Sequence, residues 1–430
     1  MTYRNKLFTS DSSVHSSYQK SIAANGIRVI SEEIPTVKSV SLGIWIDTGS
    51  RNESSSTNGI SHFIEHMMFK GTKQRSYKQI ANSIESIGGF MNAFTTKEHT
   101  CYYVRVLDEF VERAVDVLSD MVQNSTFPEK EIAKEKTVVL EEIKQSEDDP
   151  DDQVHEYFEK YLFGNHPLGM QIIGTEQTVS SFTKDELLSY VGNFYHTGNI
   201  IVSAAGNIRH ADLMRLVEKY FTGNKTRHRA SKELSAPKKK KYFQEFPKPI
   251  QQAHVCTGTI AFSVHDALRY PAMLMNTLLG DGMSSRLFQQ IREKHGLAYS
   301  VYSFMSLMKD TGAFGVYIGT DKNSVTKALD LSYAELEKLT SKEISKNELH
   351  RVKAQLKGNM MLSLESTSNR MMRLGSGELY FKEYTPLDSI ITSIDAVTSE
   401  DIQKVARRLF TLSHFTTVIL SPNGKEFSNN

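Results

Sequence analysis

His62, Glu65 and His66 fall within five consecutive residues, His62-Phe63-Ile64-Glu65-His66. An α-helix turns once in ~3.6 residues, so histidines four apart stack on one face. Two imidazole nitrogens in that relation can hold one zinc ion. At roughly 100° per residue, Glu65 lies about 60–100° around the helix from both rings. Ile60, Ile64, Met67 and Met68 fall on the opposite side, giving the helix an apolar face to bury. Thr57 or Asn58 is the expected start and Gly71 the expected stop, ordinary residues for those positions.

A solvated His/Glu face on an amphipathic helix would show the same apolar stripe. The spacing H-x-x-E-H is nevertheless the inverted zinc-protease signature. Catalytic zinc normally takes three protein ligands and a water, so two histidines leave the set incomplete. A helix expected from about Glu129 to Ser146 offers candidates, with Ile132, Val139 and Ile143 as its apolar stripe and Leu140 adjoining. Glu135 and Glu142 (142 − 135 = 7) share the face beside that stripe, whereas Glu141 points towards solvent. Spacing alone leaves both Glu135 and Glu142 open as the third ligand.

These elements sit in a chain of 430 residues, too long for one core and sufficient for two domains. Charged residues make up 23% and apolar ones 39%, the balance of a globular protein. A formal net charge of +1 gives no reason to expect nucleic acid as a partner. No apolar run reaches the ~20 residues of a transmembrane segment. Cys101 and Cys256 are the 2 cysteines, which excludes a disulfide framework and fits a reducing compartment. Residues 1–21 read as an N-terminal tail; it has no apolar core of a secretory signal, and a transit peptide stays open.

Residues 224–248, with Lys238-Lys239-Lys240-Lys241 and few apolar side chains, read as a basic linker. The flanking halves, 22–223 and 249–430, look alike. Each opens with a strand pattern, Ser39–Ile46 in one and Ala253–Ile260 in the other. Glu131-Ile132-Ala133-Lys134 parallels Glu348-Leu349-His350-Arg351 at an offset of 348 − 131 = 217, which carries Lys136 onto Lys353. The expected fold class is α+β: two homologous domains, each a mainly antiparallel sheet packed with helices. The second copy has no H-x-x-E-H, and the same offset carries Glu142 onto Asn359, so metal chemistry belongs to the first half.

From about Ile22 onward the chain resembles the pitrilysin family of zinc peptidases, within it the half-length bacterial and mitochondrial processing peptidase group. The resemblance rests on the H-x-x-E-H stretch together with Asn25-Gly26-Ile27-Arg28-Val29, Thr48-Gly49-Ser50-Arg51, Phe69-Lys70-Gly71-Thr72, Gly88-Gly89-Phe90-Met91-Asn92-Ala93 and Val138-Val139-Leu140-Glu141-Glu142-Ile143, in that order. It implies one Zn2+ per chain held by His62, His66 and Glu142, with Glu135 orienting a ligand. It further implies peptide hydrolysis with Glu65 as general base, and an extended peptide adding as a strand along Asn92, Ala93 and Phe94. Arg292 and Tyr299 match the family's Arg/Tyr pair, which reaches the active site from the non-metal domain. Asp152 and Glu156 match acidic positions that hold a substrate arginine in the processing peptidases.

Larger members of that family close a chamber with four such domains, so two chains of this length would be needed. The resemblance favours a homodimer, with a heterodimer containing a metal-free homologue as the competing arrangement. It points to the bacterial cytoplasm, or alternatively the mitochondrial matrix. The rival reading is a non-catalytic subunit like the core proteins of the respiratory complex; those typically lose the zinc ligands that are present here.

Overall fold

The computed structural model describes residues 17–223, 237–238 and 240–422. Among the described residues, eleven strands form two sheets. The first contains β1 (Ser17–Ile22), β2 (Arg28–Glu33), β3 (Ser39–Ile46), β4 (Phe90–Thr95), β5 (Thr100–Leu107) and β6 (Ile200–Gly206), in the spatial order β1-β2-β6-β3-β5-β4. The second contains β7 (Tyr242–Lys248), β8 (Ala253–Ala261), β9 (Ala298–Leu307), β10 (Gly312–Thr320) and β11 (Thr416–Pro422), in the order β7-β11-β8-β10-β9. The second sheet thus repeats β2-β6-β3-β5-β4 strand for strand. Each sheet is antiparallel except for one parallel pair, β2 with β6 and β7 with β11.

The duplication extends to the helices. Glu129–Asp148 and Lys346–Ser363 begin 346 − 129 = 217 residues apart, the offset read from sequence. Lys136 donates to the Ser180 carbonyl at 2.7 Å, and its counterpart Lys353 donates to the Asp395 carbonyl at 2.8 Å.

Two boundaries differ from the sequence reading. Residues 17–21 lie in β1, paired with β2 along its whole length, and so do not form part of a tail; residues 1–16 lie outside the described part of the chain. Residues 242–248, assigned from sequence to the basic linker, form β7 and open the second domain. Pro247 is compatible with that strand because β7 is at the sheet edge, where a missing N–H breaks no ladder. Most of the rest of the linker, residues 224–236 and 239, lies outside the described residues.

The domains are interlocked by exchanged helices. Pro150–Phe163, from the first half, buries Val154, Phe158 and Leu162 against Cys256, Val418 and Leu420 of the second sheet. Thr367–Phe381, from the second half, buries Met371, Leu374 and Leu379 against Ile30, Trp45 and Ile201 of the first. Hence β3 and β6 are covered on both faces and carry almost unbroken buried runs instead of alternation. Small residues make the approach possible. A Cβ on Gly375 would stand 2.1 Å from Cε2 of Trp45, and one on Gly43 would stand 2.5 Å from Sδ of Met371. The Trp45 indole donates to Ser203 Oγ at 2.8 Å, and that hydroxyl donates to the Met371 carbonyl at 3.2 Å.

Candidate metal centre

The motif helix runs Ile60–Met68 and buries Ile60, Phe63, Ile64, Met67 and Met68. Its N-cap is Gly59, one or two residues after the expected Asn58 or Thr57, and a positive φ of 92° there turns the chain into the first turn. Glu53 supplies the cap: its carboxylate accepts from the Gly59 N–H at 2.7 Å and the Ser61 N–H at 2.9 Å. A carboxylate suits the positive end of a helix. The second helix, Glu129–Asp148, buries Ile132, Glu135, Val139 and Ile143 against the core and leaves Glu142 at the border of that face.

Packing these helices together brings His62, His66 and Glu142 to one point, one ligand atom of each lying within 4.8 Å of the others. Nε2 of His66 is 3.5 Å from Oε2 of Glu142, and Nε2 of His62 is 4.0 Å from the same oxygen. Among the described residues this is the one such convergence of His, Cys, Asp or Glu side chains. Glu135 lies behind it, with Oε1 3.0 Å from Nδ1 of His66 and Oε2 2.6 Å from Nζ of Lys70. Burial opposes ionisation of Glu135, but the hydrogen bonds from His66 and Lys70 outweigh it and hold the carboxyl below its usual range. An ionised Glu135 accepts a hydrogen bond from His66 Nδ1–H, which leaves Nε2 as the nitrogen turned towards Glu142. Against burial, the bond to Glu135 and the neighbouring carboxylates raise the His66 imidazole above its ordinary value. Burial, reinforced by the neighbouring His66, pushes the His62 imidazole down to about 3, so that ring is neutral. Two imidazole nitrogens and one carboxylate oxygen form a donor set that suits zinc.

Glu65 does not join the convergence. Its carboxylate accepts a 2.5 Å hydrogen bond from the Thr95 hydroxyl at the end of β4. Burial raises its carboxyl above the ordinary range, against the opposing bond from Thr95.

β4 is the edge strand of the first sheet and pairs on one side with β5. Asn92 is exposed and accepts from the Ala93 N–H at 2.9 Å, while Phe94 packs edge-on against Trp45 at 5.8 Å.

A cavity of about 570 Å³ opens beside His62, between the domains. Its walls include Thr95, Lys97, Glu98, Glu156 and Glu159 from the first half, and Leu307 and Tyr380 from the second. Glu156 is half-buried, bonded to Gln171 and, at 3.4 Å, to Ser146. Burial raises its carboxyl above the usual range. Asp152 is exposed and lines no part of this cavity, so the two carboxylates do not face it as a pair.

Arg292 and Tyr299 are neighbours, the guanidinium carbon standing 5.2 Å over the phenol ring. They occupy a π-helical turn, Phe288–Lys294, and the start of β9 at the edge of the second sheet. Tyr299 is 75% exposed, and neither residue lines the cavity beside His62.

Sequence reasoning did not single out Glu53, Lys70, Thr95 or Tyr380. Lys70 follows His66 by four residues and offered a weak local signal. Glu53 caps the helix locally, from six and eight residues before the N–H groups it binds, whereas Thr95 and Tyr380 reach the site only through tertiary packing.

Residues 28–176 match the model of the insulinase family, peptidase family M16, and residues 181–356 match the model described as the peptidase M16 inactive domain. A Bacillus subtilis (strain 168) protein, named as the uncharacterized zinc protease YmxG, is 44% identical over 93% of this chain and 97% of its own. A Streptomyces coelicolor protein, also named as an uncharacterized zinc protease, is 39% identical over 89% of this chain and 85% of its own. Among solved structures, a Helicobacter pylori protease superposes with a TM-score of 0.89 at 22% identity, covering 95% of this chain and all (100%) of that one. A Pseudomonas fluorescens structure titled as a peptidase M16 inactive domain gives 0.88 at 21% identity, covering 96% and 99%. At these identities the structures show a shared fold.

Proposed function

The chain belongs to the insulinase family, peptidase family M16, and from that premise we propose that it is a zinc-dependent metalloendopeptidase. The observation that carries this reading is the convergence of His62, His66 and Glu142 within 4.8 Å, with Glu65 one residue from a ligand yet outside the set.

Zinc, when bound by His62, His66 and Glu142, supplies Lewis-acid activation of a water and of the scissile carbonyl. Glu65 takes a proton from the attacking water at its carboxylate and passes it to the leaving amine. Thr95 holds that carboxylate against the end of β4, and Glu135 fixes the His66 ring. The substrate extends along β4, pairing through its backbone with the free edge at Asn92, Ala93 and Phe94. Glu156, in the wall of the interdomain cavity, favours a basic substrate side chain near the scissile bond, with Asp152 contributing charge from the surface.

Arg292 and Tyr299 act in this reading from a second chain, in a homodimer that encloses the peptide between facing halves. A guanidinium and a phenol suit the oxyanion and backbone of a peptide at the transition state. The relatives named above are bacterial, which favours the bacterial cytoplasm over the mitochondrial matrix. Among the described residues no helix is long and apolar enough to cross a membrane.

Hydrolysis of a quenched fluorescent peptide should stop on chelation and return on stoichiometric zinc; activity indifferent to chelation rejects the reading. Mixing Glu65→Gln with Tyr299→Phe tests the shared site. Subunit exchange should restore about a quarter of wild-type activity, because half the dimers then hold one intact site. No recovery on confirmed exchange rejects the cross-chain role.

A further inference from the structure

A second cavity, of about 320 Å³, lies behind the wall of the first; Leu307 and Tyr380 line both. Its own walls are aromatic. Tyr18 stacks on Tyr384 with ring centroids 3.9 Å apart, and Tyr270 and Phe381 stand beside them.

Two arginines enter this wall. The Arg269 guanidinium lies 4.7 Å over the Tyr270 ring and 4.9 Å over Phe381, and that of Arg373 lies 5.2 Å over Tyr384. Their hydrogen bonds go to neutral oxygens: Arg269 to the Val264 carbonyl at 3.3 Å and the Tyr270 hydroxyl at 3.2 Å, Arg373 to the Thr385 carbonyl. Neither has a carboxylate partner among the described residues. Of the two glutamates in the wall, Glu378 is engaged by Lys20 at 2.7 Å and by Arg28 at 3.3 Å, and Glu383 is exposed.

Ion-paired arginines are the rule where protein carboxylates are near, because a guanidinium presents five donors that few neutral groups exhaust. Here two sit in one concave, largely apolar site with donors left over. Stacking on rings fixes each fork in place, so little rotamer freedom is lost when an anion docks. The volume suits a single ring or branched chain with one acidic group.

We propose that this cavity is a binding site for a small apolar carboxylate, its anion held by Arg269 and Arg373 and its body against the aromatic wall. The site is independent of the metal centre in composition, yet it shares Tyr380 with the cavity beside His62. The Tyr380 phenol lies near Glu98, a residue lining that first cavity, and the two interact electrostatically. An occupant therefore bears on a side chain that the peptide-facing cavity also uses.

Calorimetric titration of the full-length protein with phenylacetate, N-acetyl-L-leucine and N-acetyl-L-phenylalanine tests this without reference to peptidase activity. At least one acid should bind with Kd at or below ~1 mM, and about tenfold more tightly than its uncharged amide. Arg373→Gln should weaken that binding at least tenfold and Arg373→Lys less, with zinc content unchanged. Met273→Trp fills the cavity while keeping both arginines in the sequence, and should abolish binding in a protein that still folds and keeps its zinc content. Acid and amide binding alike, none of the three acids binding, or full affinity in Arg373→Gln overturns the proposal. Phenyl phosphate binding more tightly than every carboxylate overturns the assigned ligand class.

Discussion

Nδ1 of His66 lies 3.0 Å from a carboxylate oxygen of Glu135, and the other oxygen of that carboxylate lies 2.6 Å from Lys70. Glu135 therefore cannot swing forward to take Glu142's place without abandoning both partners. The same contact engages Nδ1 of His66 and leaves Nε2 as the nitrogen on the Glu142 side. Two glutamates on one helix face, indistinguishable by spacing, thus take different places because only one has a lysine beside it.

Replacing Glu135 with Gln removes the negative charge but keeps the shape. His66 then keeps only a neutral, weaker acceptor at Nδ1, and zinc affinity should fall by about 10–100-fold. Competition against a chelator of known affinity measures this. Glu142→Gln removes a ligand and should cost more, and equal losses in the two variants would argue against their distinct placement.

Thr95 holds Glu65 by a single hydrogen bond to a carboxylate, an interaction worth roughly 1.5–3 kcal/mol. Thr95→Val should lower kcat by about tenfold or more with little change in KM, and Thr95→Ser should recover most of it. A KM effect alone would mean that Thr95 serves the substrate strand and not the base.

The exchanged helix depends on Gly375, where a Cβ would meet the Trp45 ring. Gly375→Ala should destabilise the protein by about 1–3 kcal/mol through overpacking. Urea titration gives the value. Wild-type stability in this variant would show that the interface yields, contrary to the packing described.

His99 packs on the Trp45, Phe94 and Tyr380 rings, and burial, with Lys309 adding to it against Asp47, pushes its imidazole down to about 4. A histidine depressed in the folded state takes up its proton more readily when unfolded. Its contribution is present above the ordinary value near 6.5 and is lost as pH falls towards 4. Taken to completion the loss is on the order of 3 kcal/mol. Urea midpoints at pH 7 and pH 5 should differ less in His99→Phe than in wild type. Parallel pH dependence in the two proteins contradicts the assignment to His99.

The motif helix and the glutamate helix were legible because periodicity and spacing are local properties of the chain. The duplication was legible because it leaves a fixed offset, 217, that survives loss of the chemistry in the second half. β7 was hidden by its composition. Tyr242-Phe243-Gln244-Glu245-Phe246-Pro247-Lys248 carries charge and a proline beside a lysine run, and its partner, β11, lies some 170 residues on (416 − 242 = 174). Glu53 and Thr95 were equally unreadable, since each acts on the motif helix from a separate loop or strand. The resemblance that grouped Asp152 with Glu156 could not show that one faces solvent while the other faces the cavity.

Hydrolysis of a quenched fluorescent peptide library by the purified protein and by Glu65→Gln, with zinc content measured on both, tests the central claim most directly. One zinc per chain in both samples, with cleavage in wild type and a loss of at least about 100-fold in the variant, is the expected result. Undiminished cleavage by Glu65→Gln, or zinc-loaded wild type that cleaves nothing, would contradict it.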